Sequence, residues 1–216
     1  MNKNRILTIA LAKGRLADQT LDVLARCGLD LDWDEISDRQ LIFENKSQTL
    51  RFFLAKPSDI PTYVEYGAAD IGFVGKDTLL EEQRSVYELL DLGLGRCRLC
   101  VCGPEALAER WDRLPNKRVG TKYPEVAKTY FAEEKRETVE IIRLNGSVEL
   151  APLLDLADVI VDIVESGRTL EANHLVVLET IADISARMIV NRVSRQMKAD
   201  LIGDLVGRIR KVVEEK

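Results

Sequence analysis

The sequence predicts an α/β protein of two lobes, joined by two crossings of the chain and enclosing a cleft. Three observations predict it. Short apolar, β-branched runs alternate with stretches of helical spacing along nearly all 216 residues, the pattern of parallel sheet layers covered by helices on both faces. Gly93 and Gly95 interrupt the middle as Leu-Gly-Leu-Gly, a candidate hinge and not a dinucleotide fingerprint, since the third glycine and the strand-to-helix context are missing. The β-branched run 176–190 then carries the chain back across that hinge. The expected division is 1–92 plus 180–216 for the first lobe and 93–179 for the second.

The first lobe opens with a strand at 6–12 that ends in Lys13-Gly14-Arg15, followed by a helix over 16–27. Ligands bind at the carboxyl ends of strands in α/β proteins, so Lys13 and Arg15 are placed to meet negative charge. Two solvated loop cations would look the same. Two antiparallel strands at 41–44 and 50–55 flank a polar turn, with Arg39 before the first and Lys56 after the second. Ser58 reads as the N-cap of a helix that tolerates Pro61 in its first turn and runs to Gly67. A short strand at 69–75 and a helix at 78–83, capped by Asp77, complete this part.

From 87 to 95 the pattern loosens. Strands at 99–102, 118–120 and 139–144 then alternate with helices at 105–111 and 125–135, and a further helix covers 147–154 after Asn145-Gly146. The final segment, 194–216, reads as one amphipathic helix with Met197, Leu201, Leu205, Ile209 and Val212 on one stripe. Core packing is the default explanation of that stripe, with a subunit contact as the alternative.

The most informative stretch is 157–170. Residues 159–164 are apolar and mostly β-branched except for Asp162, as in a parallel strand buried on both faces. A carboxylate in such a strand needs a reason. Glu165-Ser166-Gly167-Arg168-Thr169 follows as a small-residue turn, and Leu170 to Asn173 can continue as a helix. Backbone N–H groups in such a turn can cradle a phosphate, while carboxylates at the strand end accept hydrogen bonds from sugar hydroxyls. The combination suggests a ribose phosphate. An ordinary strand-to-helix turn remains the other reading.

Composition sets the limits. The chain is 46% hydrophobic and 31% charged, ordinary for a globular protein, and its net charge of -5 argues against general nucleic-acid binding. An anionic ligand must therefore be held by a local cluster. No apolar run approaches the roughly 18 residues of a membrane span. A strand-length apolar run follows the first five residues, so a cytoplasmic chain without a membrane segment is expected. Cys97, Cys100 and Cys102 lie in an extended segment that turns Cys97 away from the other two, and the one histidine, His174, is distant. Buried strand cysteines are favoured over a metal site, and Cys27 leaves no disulfide framework.

Five motifs in order, spanning nearly the whole chain, resemble the ATP phosphoribosyltransferases, the first enzymes of histidine biosynthesis. They are Lys13-Gly14-Arg15; Ser-Asp-Ile-Pro-Thr-Tyr-Val-Glu at 58–65; Ala-Ala-Asp-Ile-Gly at 68–72; Gly-Ser-Val-Glu at 146–149; and 158–170 with its continuation to His174. The resemblance implies a fold similar to type II periplasmic binding proteins, in the short form with no C-terminal regulatory domain. It also implies transfer of a phosphoribosyl group from phosphoribosyl pyrophosphate to N1 of ATP, with Mg2+ arriving on the substrate phosphates.

By the same resemblance, Glu165, Ser166, Gly167, Arg168 and Thr169 hold the sugar 5-phosphate, and Glu149 and Asp162 hold the ribose hydroxyls. Lys13, Arg15 and Arg39 face the polyphosphate of ATP or the pyrophosphate. Similar sequences often carry arginine where this chain has Lys56, which keeps the charge without the bidentate fork. The implied partners are a regulatory subunit resembling histidyl-tRNA synthetase and a second copy of the chain, as a homodimer within a hetero-octamer inhibited by histidine. A solute-binding protein, an effector-sensing domain and a nucleotide-binding subunit without catalysis are the competing readings. The lack of a secretion signal and of a DNA-binding segment argues against the first two.

Overall fold

A computed structural model describes residues 6–29, 41–47 and 49–215. In chain order the elements begin β1 (Leu7–Ala12), α1 (Arg15–Arg26), β2 (Ile42–Glu44), β3 (Leu50–Ala55), α2 (Ile60–Glu65), β4 (Ile71–Gly75), α3 (Lys76–Glu82) and β5 (Tyr87–Asp91). They continue with β6 (Cys97–Pro104), β7 (Arg118–Thr121), α4 (Pro124–Thr129), β8 (Glu140–Arg143), α5 (Leu150–Leu153), β9 (Val159–Val164) and α6 (Arg168–Ala172). The chain closes with β10 (Leu175–Ile184), β11 (Ala186–Val190), α7 (Ser194–Met197) and α8 (Ala199–Glu214). Contacts divide it into two compact units, Met1–Gly95 with Ser185–Lys216, and Arg96–Ile184. Among the described residues no helix is long and apolar enough to cross a membrane.

The first unit holds a six-stranded sheet in the order β2-β3-β1-β4-β11-β5. β1 runs parallel to both β3 and β4, and the period of two along it fills both faces. Ile9 and Leu11 join a core with Val23 and Leu24 of α1 and Ile202, Leu205 and Ile209 of α8. Ala10 and Ala12 pack on the other side with Ile60 and Val64 of α2. Small residues face α2 because that helix lies close: a Cβ on Gly72 would stand 2.7 Å from Ile60 Cγ2.

The second unit repeats this plan with a five-stranded sheet, β10-β6-β9-β7-β8. β7 is parallel to β8 and β9, whereas β6 runs antiparallel to β9 and β10. Both sheets are therefore mixed. The parallel layers expected from alternating strands and helices hold for β1, β3 and β4 and for β7, β8 and β9, and the antiparallel pair expected at 41–44 and 50–55 is β2 with β3. The remaining strands enter antiparallel, and β9 has a parallel neighbour on one side only.

Several local expectations are corrected. Residues 87–91 form β5, whose weak pattern follows from its place at the sheet edge, paired on one side with β11 and largely exposed. The helix expected over 105–111 is two 3-10 turns, Glu105–Leu107 and Trp111–Arg113. Tertiary contacts explain the break: Trp111 is buried against the ammonium groups of Lys117 and Lys135, and Lys117 donates to the Asp112 carbonyl. Ser58 is no N-cap. Its hydroxyl turns to Asp59 Oδ1, Pro57–Asp59 form a 3-10 turn, and α2 starts from Asp59 without a side-chain cap. Asp77 sits inside the first turn of α3, whose N-cap is Gly75.

The C-terminal segment is two helices, broken at Lys198. Its buried stripe is Ile202, Leu205 and Ile209, while Met197 and Leu201 are exposed. Lys198 sets that phase. Its ammonium donates to the Ile6 carbonyl and to Asp70 Oδ2, both at 2.7 Å. Asp70, 5% exposed, also accepts from the Thr8 N–H (2.8 Å) and the Ser194 hydroxyl (2.6 Å). One carboxylate thus ties the start of β1, the entry to β4 and the C-terminal helices together.

Removing that carboxylate strands a mostly buried ammonium. Asp70→Ala is expected to lose about 3–5 kcal/mol of unfolding free energy in urea titration, as for a broken buried pair. A loss below about 1 kcal/mol, typical of exposed pairs, would contradict this role.

Candidate functional site

In the second unit the connection β7–α4–β8 leaves β7 toward one edge of the sheet, and β8–α5–β9 crosses back past β7 to its other side. Right-handed crossovers running in opposite directions lie on opposite faces. A crevice therefore opens at the carboxyl ends of β7 and β9, where neither helix covers the edge, and such switch points are where α/β folds bind ligands. α5 is held close: a Cβ on Gly120 of β7 would stand 3.0 Å from Ala151 Cβ. That approach fixes Glu149, which directly precedes α5, beside the end of β9.

Glu149, Asp162, Glu165, Ser166, Gly167 and Thr169 line one cavity of about 270 Å3, together with Leu170 and the last residues of β9. Asp162 shares a sheet face with Ile160 and Val164, which pack against Val148, Ala151 and Leu170. Gly167 has φ 77° and ψ -6° and directly precedes α6. A side chain there crowds its own carbonyl by roughly 1–2 kcal/mol. The left-handed residue turns the chain so that the first N–H groups of α6, which have no intrahelical acceptor, follow the cavity wall. Arg168 turns to its neighbour, Nε donating to Ser166 Oγ at 3.4 Å. Asn173 steadies the turn by donating to the Thr169 carbonyl at 2.7 Å.

Burial pushes the Asp162 carboxyl above its ordinary range, and the nearby Glu149 adds to the effect. The Ile163 N–H, donating at 2.8 Å, and the Lys122 ammonium act in the opposite direction. Across the sheet Asp162 pairs with Cys100. The Cys102 thiol is pushed up to about 12 by burial, then by Cys100 and Asp162, so it stays protonated. Cys100 contacts the Thr180 hydroxyl, and Cys97 lies half-buried. Among the described residues no three His, Cys, Asp or Glu side chains are grouped to hold a metal ion.

The first unit has the same order of parallel strands, with β3 and β4 on either side of β1. Ala12 pairs with Ala55, and the Lys13 N–H continues the ladder to the Ala55 carbonyl at 2.9 Å. Lys13 and Lys56 thus leave adjacent strands at one carboxyl edge, both exposed, and Arg15 opens α1 next to them. Arg39 lies outside the described residues.

Lys122 is the residue that sequence reasoning missed. It follows β7 directly, as Lys13 follows β1. The available signal was a cation straight after a strand and before Tyr123-Pro124. Only the sheet order brings it beside Asp162, forty residues later in the chain.

The family model described as HisG, ATP phosphoribosyltransferase, matches residues 56–211. The ATP phosphoribosyltransferase of Ruminiclostridium cellulolyticum is 58% identical over 206 residues, which cover 95% of this chain and 96% of that one. That of Lachnospira eligens is 55% identical, covering 97% and 98% respectively. Among solved structures, the ATP phosphoribosyl transferase (HisG:HisZ) complex from Thermotoga maritima matches with a TM-score of 0.84 and 36% identity, over 98% of this chain and all of that one.

The raised Asp162 carboxyl makes stability depend on pH. Between its unfolded and folded pKa values the folded chain holds more protons, so its contribution is complete below the unfolded value and is lost as pH rises through the folded one. Asp162→Asn is expected to raise Tm over wild type more at about pH 7.5 than at about pH 3, below the unfolded carboxyl's value, where the wild-type contribution is complete. An equal shift at both pH values, by scanning calorimetry, would contradict the assignment.

Proposed function

We infer the function from a plain premise: the chain belongs to the ATP phosphoribosyltransferase family. It transfers the phosphoribosyl group of phosphoribosyl pyrophosphate to N1 of ATP and releases pyrophosphate, the first step of histidine biosynthesis. The observation that carries the site assignment is the cavity in which a left-handed glycine loop stands next to two carboxylates, Glu149 and Asp162. The loop 165–169 would take the 5-phosphate through its backbone N–H groups. Glu149 and Asp162 would accept hydrogen bonds from the ribose hydroxyls.

Lys13, Arg15 and Lys56 are assigned to the phosphates of ATP or to the departing pyrophosphate, and Arg39 is proposed for the same role on the family resemblance. The attacking N1 carries a lone pair and no proton, so no general base is needed to begin. The N1–C1 bond of the product forms as the bond from C1 to the pyrophosphate oxygen breaks, and that electron pair leaves with pyrophosphate. The chain's contribution is to hold two anionic substrates in line and to place fixed positive charge where negative charge develops.

A hard divalent cation would enter on the substrate phosphates. Among the described residues the cavity carboxylates are not grouped as a metal cage, which suits Mg2+ carried in on phosphate oxygens and needing few protein ligands. Bound there, it would neutralise charge on the pyrophosphate. We further propose a cytoplasmic enzyme that works as a homodimer within a hetero-octamer with a histidyl-tRNA-synthetase-like regulatory subunit. Likeness to a chain solved in a HisG:HisZ complex supports such a partner.

Pyrophosphate release that requires both ATP and phosphoribosyl pyrophosphate, and rises on adding the regulatory subunit, is the expected outcome of a coupled assay. No release in the reconstituted complex would overturn the catalytic reading. In calorimetric titration, Gly167→Val and Thr169→Ala are each expected to weaken phosphoribosyl pyrophosphate by about tenfold or more, equivalent to 1.4 kcal/mol. Unchanged affinity in both variants would remove the loop assignment.

A further inference from the structure

The cavity at the end of β9 presents an electrostatic problem. Of the described side chains that line it, three are acidic and none is basic, yet the donor proposed for it carries a phosphate at one end and a pyrophosphate at the other. Backbone N–H groups suit the first of these. The second, beyond the charge that Mg2+ would offset, calls for a side-chain cation within reach of the ribose carboxylates.

The sheet supplies one. Thr121 is buried at the end of β7, where its hydroxyl donates to the Val161 carbonyl of β9 at 2.6 Å and accepts the Tyr123 N–H at 2.8 Å. This clamp locks residues 121–123 to β9 in the register Thr121↔Val161, which sets Lys122 level with Asp162. Lys122 is exposed, lies 6.0 Å from the Tyr123 ring centroid and makes no ion pair among the described residues. Its position is also the counterpart of Lys13. Each follows the first strand of a parallel trio, with the second strand on one side and the third on the other.

We propose that Lys122 binds the pyrophosphate end of the phosphoribosyl donor. The assignment rests on the loop 165–169 holding the 5-phosphate. Asp162 lies two strand residues, about 7 Å, short of the end of β9 where that loop begins. A ribose held at Asp162 and Glu149, with its 5-phosphate in the loop, directs C1 and its pyrophosphate away from the loop. Lys122 stands on that side. Its ammonium would meet the growing charge on the leaving oxygen and offset the carboxylates that grip the sugar.

The test compares two ligands by calorimetry on the full chain in the presence of Mg2+: phosphoribosyl pyrophosphate, and ribose 5-phosphate, which lacks the pyrophosphate. Lys122→Ala is expected to weaken the first by at least about tenfold and the second by less than about twofold, as for loss of one charge-assisted contact. Lys122→Arg should restore most of the loss. Thermal melts of both variants should overlay wild type, because the side chain is exposed. Equal weakening of both ligands, or unchanged affinity for phosphoribosyl pyrophosphate, overturns the proposal. Wild-type protein that binds neither ligand instead overturns the phosphoribosyl reading of the cavity, and Lys122 falls with it.

Discussion

Each unit of this chain is built on one constraint, three parallel strands ordered second, first, third. The chain must leave the first strand toward one side and later cross back to the other. With right-handed crossovers this puts the covering helices on opposite faces and leaves the carboxyl ends of the first and third strands uncovered. Chemistry collects there because the backbone offers unpaired N–H groups and the chain turns sharply enough to present short loops. Lys13 and Lys122 both leave a first strand, and Asp162 and Gly167 belong to a third strand and its turn. Antiparallel strands finish each sheet: β11 and β6 lie beside the third strand of each trio, and β2 lies beside β3 in the first unit. In the first unit Asp70 draws the C-terminal helices back to the start of β1.

The electrostatics follow from that geometry. A net charge of -5 gives the chain no overall attraction for anions. The chain concentrates positive character in backbone groups and in a few cations at strand ends. Carboxylates in a phosphate site look self-defeating, but sugar hydroxyls need acceptors, and Asp162 is ready-made for this. Its burial raises its pKa, while the Ile163 N–H and Lys122 keep the charged form accessible. Cys102 and Cys100, beneath it on the same face, make that floor apolar, and burial keeps the Cys102 thiol protonated.

The loop and β9 were legible in the sequence because their signals are local. A β-branched run interrupted by one aspartate, then Glu-Ser-Gly-Arg-Thr, reveals itself within a dozen residues. Lys13, Arg15 and Lys56 were legible for the same reason, as cations at the ends of strands. What escaped depends on partners distant in the chain. β5 is an edge strand stabilised by β11, a hundred residues later. The break at Lys198 is imposed by Asp70, 128 residues earlier, and it rotates the buried stripe from Met197 and Leu201 to Ile202. The helix expected over 105–111 yields to the packing of Trp111 against two lysines from later segments. Lys122 gains meaning only when β9 is laid beside β7.

The central claim is that the ribose phosphate occupies the crevice between the ends of β7 and β9. Titrating isotopically labelled protein with ribose 5-phosphate, and following backbone amides by NMR, tests it most directly. Amides of residues 166–169 should shift most, with Asp162, Ile163 and Glu149 following at the same ligand concentration, while the cavity near Asn45 and Arg208 in the first unit stays unperturbed. Saturable shifts confined to the first unit, with residues 162–169 silent, would contradict the account.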